Sequence, residues 1–272
     1  STIGRTLTRL DPATGGRALY KRQDILGLPP RRFKPLRRSI QMIFQDPYAS
    51  LNPRMSVGQI LAEPLQVHGL VSSRKEAEER VGAMLAQVGL KPAAAERYPH
   101  EFSGGQRQRI GIGRAMILQP ELVIADEPVS ALDVSVQAQV LNLIRDIQRE
   151  TGVAMLFISH DLGVVRHISD RISVMYLGRI VETGTLAQMR GKARTSVHAT
   201  LARTPDPAAL ARLHDVHLDG NRLTATVDGD GIGAAMEALT PHGLEALTVA
   251  PPSLESLFLR LYENEDDAAG AR

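Results

Sequence analysis

The sequence predicts an α/β domain with a largely parallel sheet, followed by a smaller α+β domain. Short apolar runs alternate with helical patterns over residues 1–184. Several of these runs show little polar alternation, which is typical of strands buried on both faces of a sheet. Beyond Gly184 the pattern changes to short alternating strands, turn residues and small helices. We therefore predict domains at 1–184 and 185–262, with a disordered tail at 263–272.

The first domain is predicted to begin with a helix, because Ile3, Leu7 and Leu10 lie at spacings of four and three. The strands predicted to be buried on both faces are residues 40–44, 122–125, 155–159 and 172–175. The long helices are predicted at residues 74–88, 105–118 and 134–150. Residues 29–38 contain several prolines and basic side chains, which favours a basic loop.

The second domain is predicted to have the order strand, helix, strand, strand, helix, strand. Its strands are predicted at residues 196–203, 216–218, 223–227 and 244–249, and its helices at 207–213 and 231–239. Asp219, Gly220 and Asn221 are turn residues that join the two middle strands as a hairpin. A last helix is predicted at residues 253–262. This order is typical of a ferredoxin-like unit.

Composition excludes several classes of protein. The 272 residues contain 32 Lys and Arg against 30 Asp and Glu, a net charge of +2 that gives no reason to predict a nucleic-acid partner. Cysteine is absent, which excludes a disulfide scaffold and agrees with a reducing compartment such as the cytosol. No apolar run approaches the roughly 20 residues that span a bilayer, so any membrane role is expected to be peripheral.

Two adjacent carboxylates end one predicted strand. Residues 122–128 read LVIADEP, with Asp126 and Glu127 at the carboxyl end of the apolar run. Neighbours on a strand point in opposite directions, so one carboxylate can orient Mg²⁺ or its waters while the other faces an attacking water. Ligands of α/β folds bind at this end of the strands. A solvated strand end or a helix cap is the alternative.

A glycine-containing segment opens the helix predicted at residues 105–118. Residues 102–109 read FSGGQRQR, with Ser103, Gly104, Gly105 and Gln106 at the helix start. Free backbone N–H groups and the positive end of the helix dipole suit a phosphate there. A flexible loop with an N-cap is the alternative. The segment lies about twenty residues before the paired carboxylates, and this proximity strengthens the phosphate interpretation.

Several motifs in order resemble the ABC transporter ATPase family. SGGQ is followed by the strand ending in Asp-Glu, then by SALD at 130–133 and by Ser-His-Asp at 159–161, and Gln45 in IFQDP precedes them all. The resemblance covers roughly residues 1–184. It implies a P-loop NTPase fold with a helical subdomain, ATP and Mg²⁺ as cofactors, and head-to-tail pairing with an identical or homologous ATPase subunit.

The resemblance also implies a role for each motif residue. Asp126 would hold Mg²⁺ through water, Glu127 would polarise the attacking water, and His160 would contact the γ-phosphate. Gln45 would reach Mg²⁺ and sense the permease, and Asp133 would organise the dimer seam. Ser103, Gly104, Gly105 and Gln106 would face the ATP bound by the partner. Taken singly, His160 is more often a capped strand end and Gln45 a surface residue, but neither alternative explains the joint order.

The phosphate-binding loop of this family, GxxGxGK followed by Ser or Thr, is not found in the sequence. Ser1 and Thr2 match the residues just after its lysine, so the resemblance implies that the loop precedes Ser1. Ser1 would then supply the hydroxyl that binds Mg²⁺, and Thr2 would lie beside it in the ATP site. We expect negligible ATPase activity from these 272 residues alone. A non-catalytic subunit that completes a partner's site is the alternative.

Two longer stretches are similar to the ATPases of oligopeptide and dipeptide importers. These are residues 37–61, RRSIQMIFQDPYASLNPRMSVGQIL, and residues 97–116, RYPHEFSGGQRQRIGIGRAM. They imply ATP-driven peptide uptake through separate permeases, from a peripheral position on the cytoplasmic face of the membrane. Residues 46–55 are the expected permease contact, although Tyr48, Leu51 and Met55 fit an ordinary core equally well.

Three other segments leave alternatives open. Residues 189–202, MRGKARTSVHATLA, and 250–262, APPSLESLFLRLY, resemble the appendage of drug-exporter ATPases, which makes drug export the alternative to peptide uptake. The basic run at 31–38 is interpreted as a solvated loop, with lipid headgroups or nucleic acid as alternative partners.

Overall fold

A computed structural model describes residues 1–192, 194–211, 213–228 and 231–250. It divides into two units, Ser1–Ile168 and Ser169–Arg272. The division precedes the boundary predicted at Gly184, because the strand that includes residues 172–175 pairs with the strand that follows it and has no place in the parallel sheet. No helix in the described part of the chain is long and apolar enough to cross a membrane.

The first unit contains nine α-helices and five strands within the described residues. They are α1 (Thr2–Leu7), β1 (Leu19–Tyr20), β2 (Gln23–Asp24), α2 (Pro30–Phe33), α3 (Leu36–Ser39), β3 (Ile40–Ile43), α4 (Pro47–Ser50), α5 (Val57–Val67), α6 (Arg74–Gln87), α7 (Gly104–Met116), β4 (Leu122–Asp126), α8 (Val134–Thr151), β5 (Ala154–Ile158) and α9 (Leu162–Ile168), with 3₁₀ turns at Pro92–Glu96 and Pro99–Glu101.

The main sheet of the first unit is parallel, with the order β3-β4-β5, and β1 and β2 form a separate antiparallel pair. Its register aligns Ile43, Ala125 and Phe157 across the three strands. The carboxyl ends of the strands therefore meet at one edge, where Gln45, Glu127 and His160 follow their strands within two residues. This part of the predicted fold is confirmed.

Burial of the strands differs from the prediction in two places. β3 and β4 are buried, as expected. β5 is not buried on both faces, since Leu156 is 37% exposed, and within the described sheet β5 has β4 as its one neighbour. The strand predicted at 172–175 alternates instead of being fully buried, with Ile172 and Val174 buried and Met175 exposed, because it forms an antiparallel pair outside the parallel sheet.

The helices of the first unit pack an apolar core against β3 and β4. Its fully buried side chains include Leu61 of α5, Leu85 of α6, Ile110 of α7, Val123 of β4 and Ile144 of α8. The three long helices that the sequence predicts are confirmed to within two residues at each end. Serine or aspartate caps α5, α6, α7 and α8, so local capping and burial specify the same boundaries.

The first helix is shorter than its apolar spacing suggests. Ile3 and Leu10 are 40% and 48% exposed, so of the three predicted apolar positions Leu7 alone packs against an apolar cluster. Gly4 is buried instead, and a Cβ there would lie 3.1 Å from Met42 Cε and 3.2 Å from Ile124 Cγ2. The close approach of the helix backbone to the sheet decides which face is buried.

The loop predicted at residues 29–38 is wrong, because this segment carries the short helices α2 and α3. Pro30 occupies the first position of α2, where a fixed φ and a missing N–H cost nothing. Phe33 is only 3% exposed and packs with Ile25, Leu28 and Ile40. This apolar anchor orders a segment whose composition favours a loop.

The second unit contains β6 (Arg171–Tyr176), β7 (Arg179–Thr185), α10 (Leu186–Lys192), β8 (Thr195–Leu201), α11 (Pro207–Leu210), β9 (His214–Asp219), β10 (Arg222–Val227), α12 (Ile232–Leu239) and β11 (Leu244–Ala250), with a 3₁₀ turn at Thr240–His242. From β8 onward the elements follow the predicted order. Their antiparallel sheet has the order β11-β8-β10-β9, and Gly220 turns the β9–β10 hairpin with φ +59°. The predicted helix at 253–262 and tail at 263–272 lie outside the described residues.

Candidate functional site

Three polar side chains from the ends of neighbouring strands form one hydrogen-bonded cluster. Gln45 Nε2 donates to Glu127 Oε2 at 2.8 Å, and His160 Nδ1 lies 3.3 Å from the same oxygen. The Glu127 side chain is 24% exposed and that of His160 is 73% exposed, so the cluster opens to solvent on the histidine side. The structure thus brings together three of the residues singled out in the sequence.

The backbone of Glu127 is in the left-handed region, with φ +47°. For a residue with a Cβ this conformation costs roughly 1–2 kcal/mol. Neighbouring groups hold it there, since Glu127 N donates to Ile158 O at 2.9 Å and Ser130 Oγ donates to Glu127 O at 3.1 Å. A strained conformation that the surroundings enforce is a common way to aim a functional side chain.

Asp126 has a different environment from its neighbour. It is 3% exposed, and its Oδ1 atom is buried without a hydrogen-bond partner in the described residues. Ser1 lies beside β4, with its backbone nitrogen in contact with Asp126 Oδ2, and Thr2 is exposed one residue further on. A buried carboxylate oxygen without a donor fits a cation, and carboxylate oxygens are ligands that Mg²⁺ prefers. The two neighbouring carboxylates therefore lie in different environments, Asp126 buried and Glu127 at the solvent-open cluster.

Ser103 begins α7 with a capping box. Gln106 N donates to Ser103 Oγ at 3.4 Å, and Ser103 N donates to Gln106 Oε1 at 3.1 Å. Gly104 is exposed, whereas Gly105 is buried so tightly that a Cβ would lie 2.3 Å from Val136 Cγ1. The N-cap alternative is therefore present, and it leaves the helix start open to solvent at Gly104. In the described residues no hydrogen bond or ion pair joins this segment to the Glu127 cluster.

Asp133 caps the N-terminus of α8. Its carboxylate accepts from Ser135 Oγ at 2.8 Å and from Val136 N at 3.1 Å. These hydrogen bonds, that from Ser135 foremost, lower the pKa of Asp133 below its ordinary value. Asp133 therefore has a structural task in the folded chain, which the sequence reasoning did not assign.

The segment 46–55 divides between core and surface. Leu51 is 2% exposed and Met55 packs against the core, so the core interpretation holds for both. Tyr48 is 60% exposed, and the Arg107 guanidinium carbon lies 5.0 Å from its ring centroid. The surface interpretation therefore holds for Tyr48 alone.

Two arginines of α7 support this segment and were missed in the sequence. Arg107 contacts Tyr48, and Arg114 donates to Ser50 O and lies with its Cζ atom 5.7 Å from the Phe44 ring centroid. Burial lowers the pKa of Arg114. The spacing of Arg107 and Arg114 in the sequence indicates that they act together, because residues seven apart share one face of a helix.

A family model described as ABC transporter matches residues 1–130. The oligopeptide transport ATP-binding protein OppF of Escherichia coli K12 is 49% identical over 231 residues, which is 85% of this chain and 67% of OppF. The putative oligopeptide transport ATP-binding protein YkfD of Bacillus subtilis is 51% identical over 260 residues, 94% of this chain and 78% of YkfD. The dipeptide transport ATP-binding protein DppF of E. coli is 54% identical over 206 residues, 75% of this chain and 61% of DppF.

Solved structures agree with these sequence relatives. The dimeric ATP-binding cassette MJ0796 bound to ADP and Pi superposes with a TM-score of 0.61 at 26% identity, covering 68% of this chain and 79% of that one. CbiO1 from Clostridium perfringens, part of the ABC transporter complex cbiONQ, gives 0.62 at 25% identity over 70% and 74%. The cassette fold is confirmed.

The chain therefore belongs to the ABC transporter family, as a member of its ATP-binding subunits. Alignments of 231 and 260 residues extend past the 184 residues to which the motifs point. The relatives above are named for peptide transport, so they do not favour the drug-exporter alternative that the C-terminal segments suggest. The chain spans between 61% and 78% of the length of these three relatives.

Proposed function

We propose that this chain is the ATP-hydrolysing subunit of an ABC transporter that drives the uptake of oligopeptides or dipeptides through separate permease subunits. The observation that carries the proposal is the cluster of Gln45, Glu127 and His160 beside buried Asp126, at the shared carboxyl edge of the parallel sheet. The relatives named for oligopeptide and dipeptide transport support the substrate class. In this function the subunit lies at the cytoplasmic face of the membrane, bound peripherally.

Hydrolysis needs a water positioned in line with the γ-phosphorus, and little covalent chemistry from the protein. Glu127 accepts a proton from that water as the water oxygen bonds to phosphorus and the bond to the bridging oxygen of ADP breaks. Its fixed backbone holds the carboxylate in position, and the Gln45 amide restricts it further. His160 contacts the same carboxylate and is exposed enough to meet the γ-phosphate.

The metal role belongs to residues around Asp126. Asp126, Gln45 and the Ser1 hydroxyl would hold Mg²⁺, and the unpartnered Oδ1 of Asp126 supports this assignment. Bound Mg²⁺ neutralises charge on the phosphates. Thr2 would lie beside Ser1 at the phosphates. These assignments follow the family motifs, and each is a proposal for this chain.

The helix start at α7 completes a site in the partner ATPase subunit. Ser103, Gly104, Gly105 and Gln106 form the start of the 13-residue helix α7, whose positive end would face the γ-phosphate bound by that partner. The N–H groups of Ser103 and Gln106 serve the capping box, so Gly104 and Gly105 would supply the backbone donors. Asp133, seated at the next helix start, would lie along the same seam. MJ0796 is dimeric in its ADP-bound structure, which supports a pair of this kind.

The exposed pair of Tyr48 and Arg107 marks the expected permease contact at 46–55. Tyr48 presents an amphipathic ring held by a cation, and aromatic and arginine side chains are enriched at interfaces. Gln45 directly precedes this segment and is itself part of the Glu127 cluster. A movement of the permease contact would therefore be transmitted to the cluster by Gln45.

The test uses the transporter assembled from this subunit with its ATPase partner and permeases. Glu127→Gln keeps the shape of the side chain but removes the base, so we expect ATP hydrolysis and peptide uptake to fall at least about 100-fold. Glu121→Gln is the matched control, because Glu121 lies just before the other end of β4 and contacts Tyr20 and Lys21 instead. Unchanged hydrolysis by the Glu127 variant would refute the proposal, and uptake of another solute class alone would refute the substrate.

A further inference from the structure

A strongly basic surface lies outside the nucleotide site, on the short helices α2 and α3. Five of the eight residues at 31–38 are basic, and no Asp or Glu occurs between Asp24 and Asp46. All five basic side chains are exposed. The basic surface consists of Arg31, Arg32, Lys34, Arg37 and Arg38.

The basic surface is held on an ordered support. Phe33 is 3% exposed, and the guanidinium carbons of Arg9 and Arg37 lie 5.0 and 5.9 Å from its ring centroid. Prolines at 29, 30 and 35 restrict the backbone between the cations. The four cations other than Arg37 are therefore displayed from a fixed backbone, which reduces the entropy lost when they bind a partner.

Nothing in the described residues neutralises this charge. Within the described part of the chain no carboxylate lies within 4.0 Å of the five basic side chains, whereas Arg5 and Arg74 pair with Asp11 and Glu78 at 2.7 Å. The positive potential reaches the neighbouring helix, since Arg38 and Lys34 add to burial in lowering the pKa of His68. Like charges held together repel one another, so binding of an anionic partner would relieve this repulsion.

We propose that the basic surface binds the anionic headgroups of membrane lipids and so steadies the ATPase subunit against the bilayer. The inference rests on the proposed function, because a subunit of a transporter works within reach of the membrane surface. Clusters of four to eight Lys and Arg are the usual determinant of such binding, at about one kcal/mol, or fivefold in affinity, for each residue.

Nucleic acid fits the same surface less well. Phe33 is the one aromatic residue between Tyr20 and Phe44, and it is buried beneath the cations. Single strands bind to grooves that combine cations with exposed aromatic rings on which bases stack. A membrane surface needs charge without such rings, which is what α2 and α3 present.

The experiment measures flotation of the purified 272-residue chain with vesicles of phosphatidylcholine, with and without phosphatidylglycerol. The test variant is R31Q/R32Q/K34Q/R38Q, which leaves Arg37 on Phe33. The matched control, K75Q/K91Q/R149Q/R166Q, removes the same charge from exposed residues elsewhere on the first unit. We expect the native chain to bind only the phosphatidylglycerol vesicles, less tightly at high salt, and the test variant to bind at least about tenfold more weakly than the control variant.

Three results would overturn the inference: equal weakening in the two variants, no preference of the native chain for phosphatidylglycerol, or tighter binding of a single-stranded oligonucleotide than of these vesicles. Circular dichroism checks whether the fourfold variant folds. If it does not, two milder variants replace it: R31K/R32K/R38K keeps the charge and must retain vesicle binding, whereas R31Q alone must weaken vesicle binding. Vesicle binding requires no ATP hydrolysis. Its failure is therefore distinct from failure of the Glu127→Gln test.

Discussion

At the scale of single residues, Glu127 shows how a strained backbone serves a site. Its φ of +47° is unfavourable for glutamate, and contacts from β5 and Ser130 maintain it. Asparagine tolerates the left-handed region better. We expect Glu127→Asn to keep the free energy of unfolding or raise it by up to about 1 kcal/mol, while ATP hydrolysis by the assembled transporter falls at least about 100-fold.

The two readouts for Glu127→Asn are urea unfolding of the chain and phosphate release by the transporter. Glu121→Asn should give the opposite pattern, because it loses contacts to Tyr20 and Lys21 without touching the cluster. A Glu127 variant that is clearly less stable than the native chain would show that the backbone conformation is not strained.

Gly105 illustrates a second residue-scale constraint, the close approach of α7 to α8. A Cβ at this position would lie 2.3 Å from Val136 Cγ1, and a valine in a helix has one strongly preferred rotamer. We expect Gly105→Ala to lower the free energy of unfolding by about 1–3 kcal/mol. Gly111→Ala in the same helix meets no atom within 4 Å and should instead be neutral or stabilising. Equal urea midpoints for the two variants would contradict this account.

At the scale of elements, charge contacts join the strands of the second unit. Arg194 Nε donates to Asp228 Oδ1 at 2.9 Å, and His214 Nε2 lies 3.1 Å from Asp228 Oδ2, so the starts of β8 and β9 are tied to the end of β10. The hydrogen bond from Arg194, followed by that from His214, lowers the pKa of Asp228 below its ordinary value of 3.8.

A lowered pKa in the folded state means that Asp228 stabilises the fold above pH 3.8, and that this contribution is lost as the pH falls through the folded pKa. We expect Asp228→Asn to be less stable than the native chain near neutral pH and to converge with it in acid. Asp219→Asn is the control, since Asp219 forms no ion pair in the described residues and should follow the native curve. Urea midpoints measured against pH decide between these outcomes.

Elements differ in how far the sequence predicts them. The carboxyl edge of the sheet and the helix beginning at Gly104 were predictable, because apolar strands, capping residues and motif order agree there. The exposure of Leu156 was not, since it depends on which strands flank β5. The helices α2 and α3 were missed because their stability comes from one tertiary anchor, Phe33. The left-handed backbone of Glu127 leaves no mark in composition or periodicity.

At the scale of the whole molecule, all the proposed nucleotide residues belong to the first unit. Two kinds of site are distributed over its surface. The Glu127 cluster is proposed to act on a nucleotide bound in its own subunit, whereas the start of α7, exposed at Gly104, is proposed to act on the nucleotide of a partner. Catalysis in such an arrangement requires two subunits. Variants at the start of α7 should therefore impair the assembly of the two subunits without lowering the stability of either one.

Gly104 permits that separation. It is exposed, and a Cβ there would meet Leu132 Cδ2 at an ordinary 3.5 Å, so a side chain is tolerated. An aspartate in the first turn of α7 interacts favourably with the helix dipole, which preserves or increases the stability of the subunit. The same negative charge would oppose the γ-phosphate of the partner's ATP. We expect Gly104→Asp to leave the melting temperature unchanged or higher while ATP hydrolysis by the transporter falls about 100-fold or more.

The control for this prediction is Gly104→Ala, which adds a Cβ without charge and should retain most of the hydrolysis. ATP-dependent association of the subunits, followed by light scattering, provides the second readout and should fail only for the aspartate variant. If Gly104→Asp hydrolyses ATP as fast as Gly104→Ala, the start of α7 does not face a phosphate. The residues at the start of α7 would then serve only to cap the helix through Ser103.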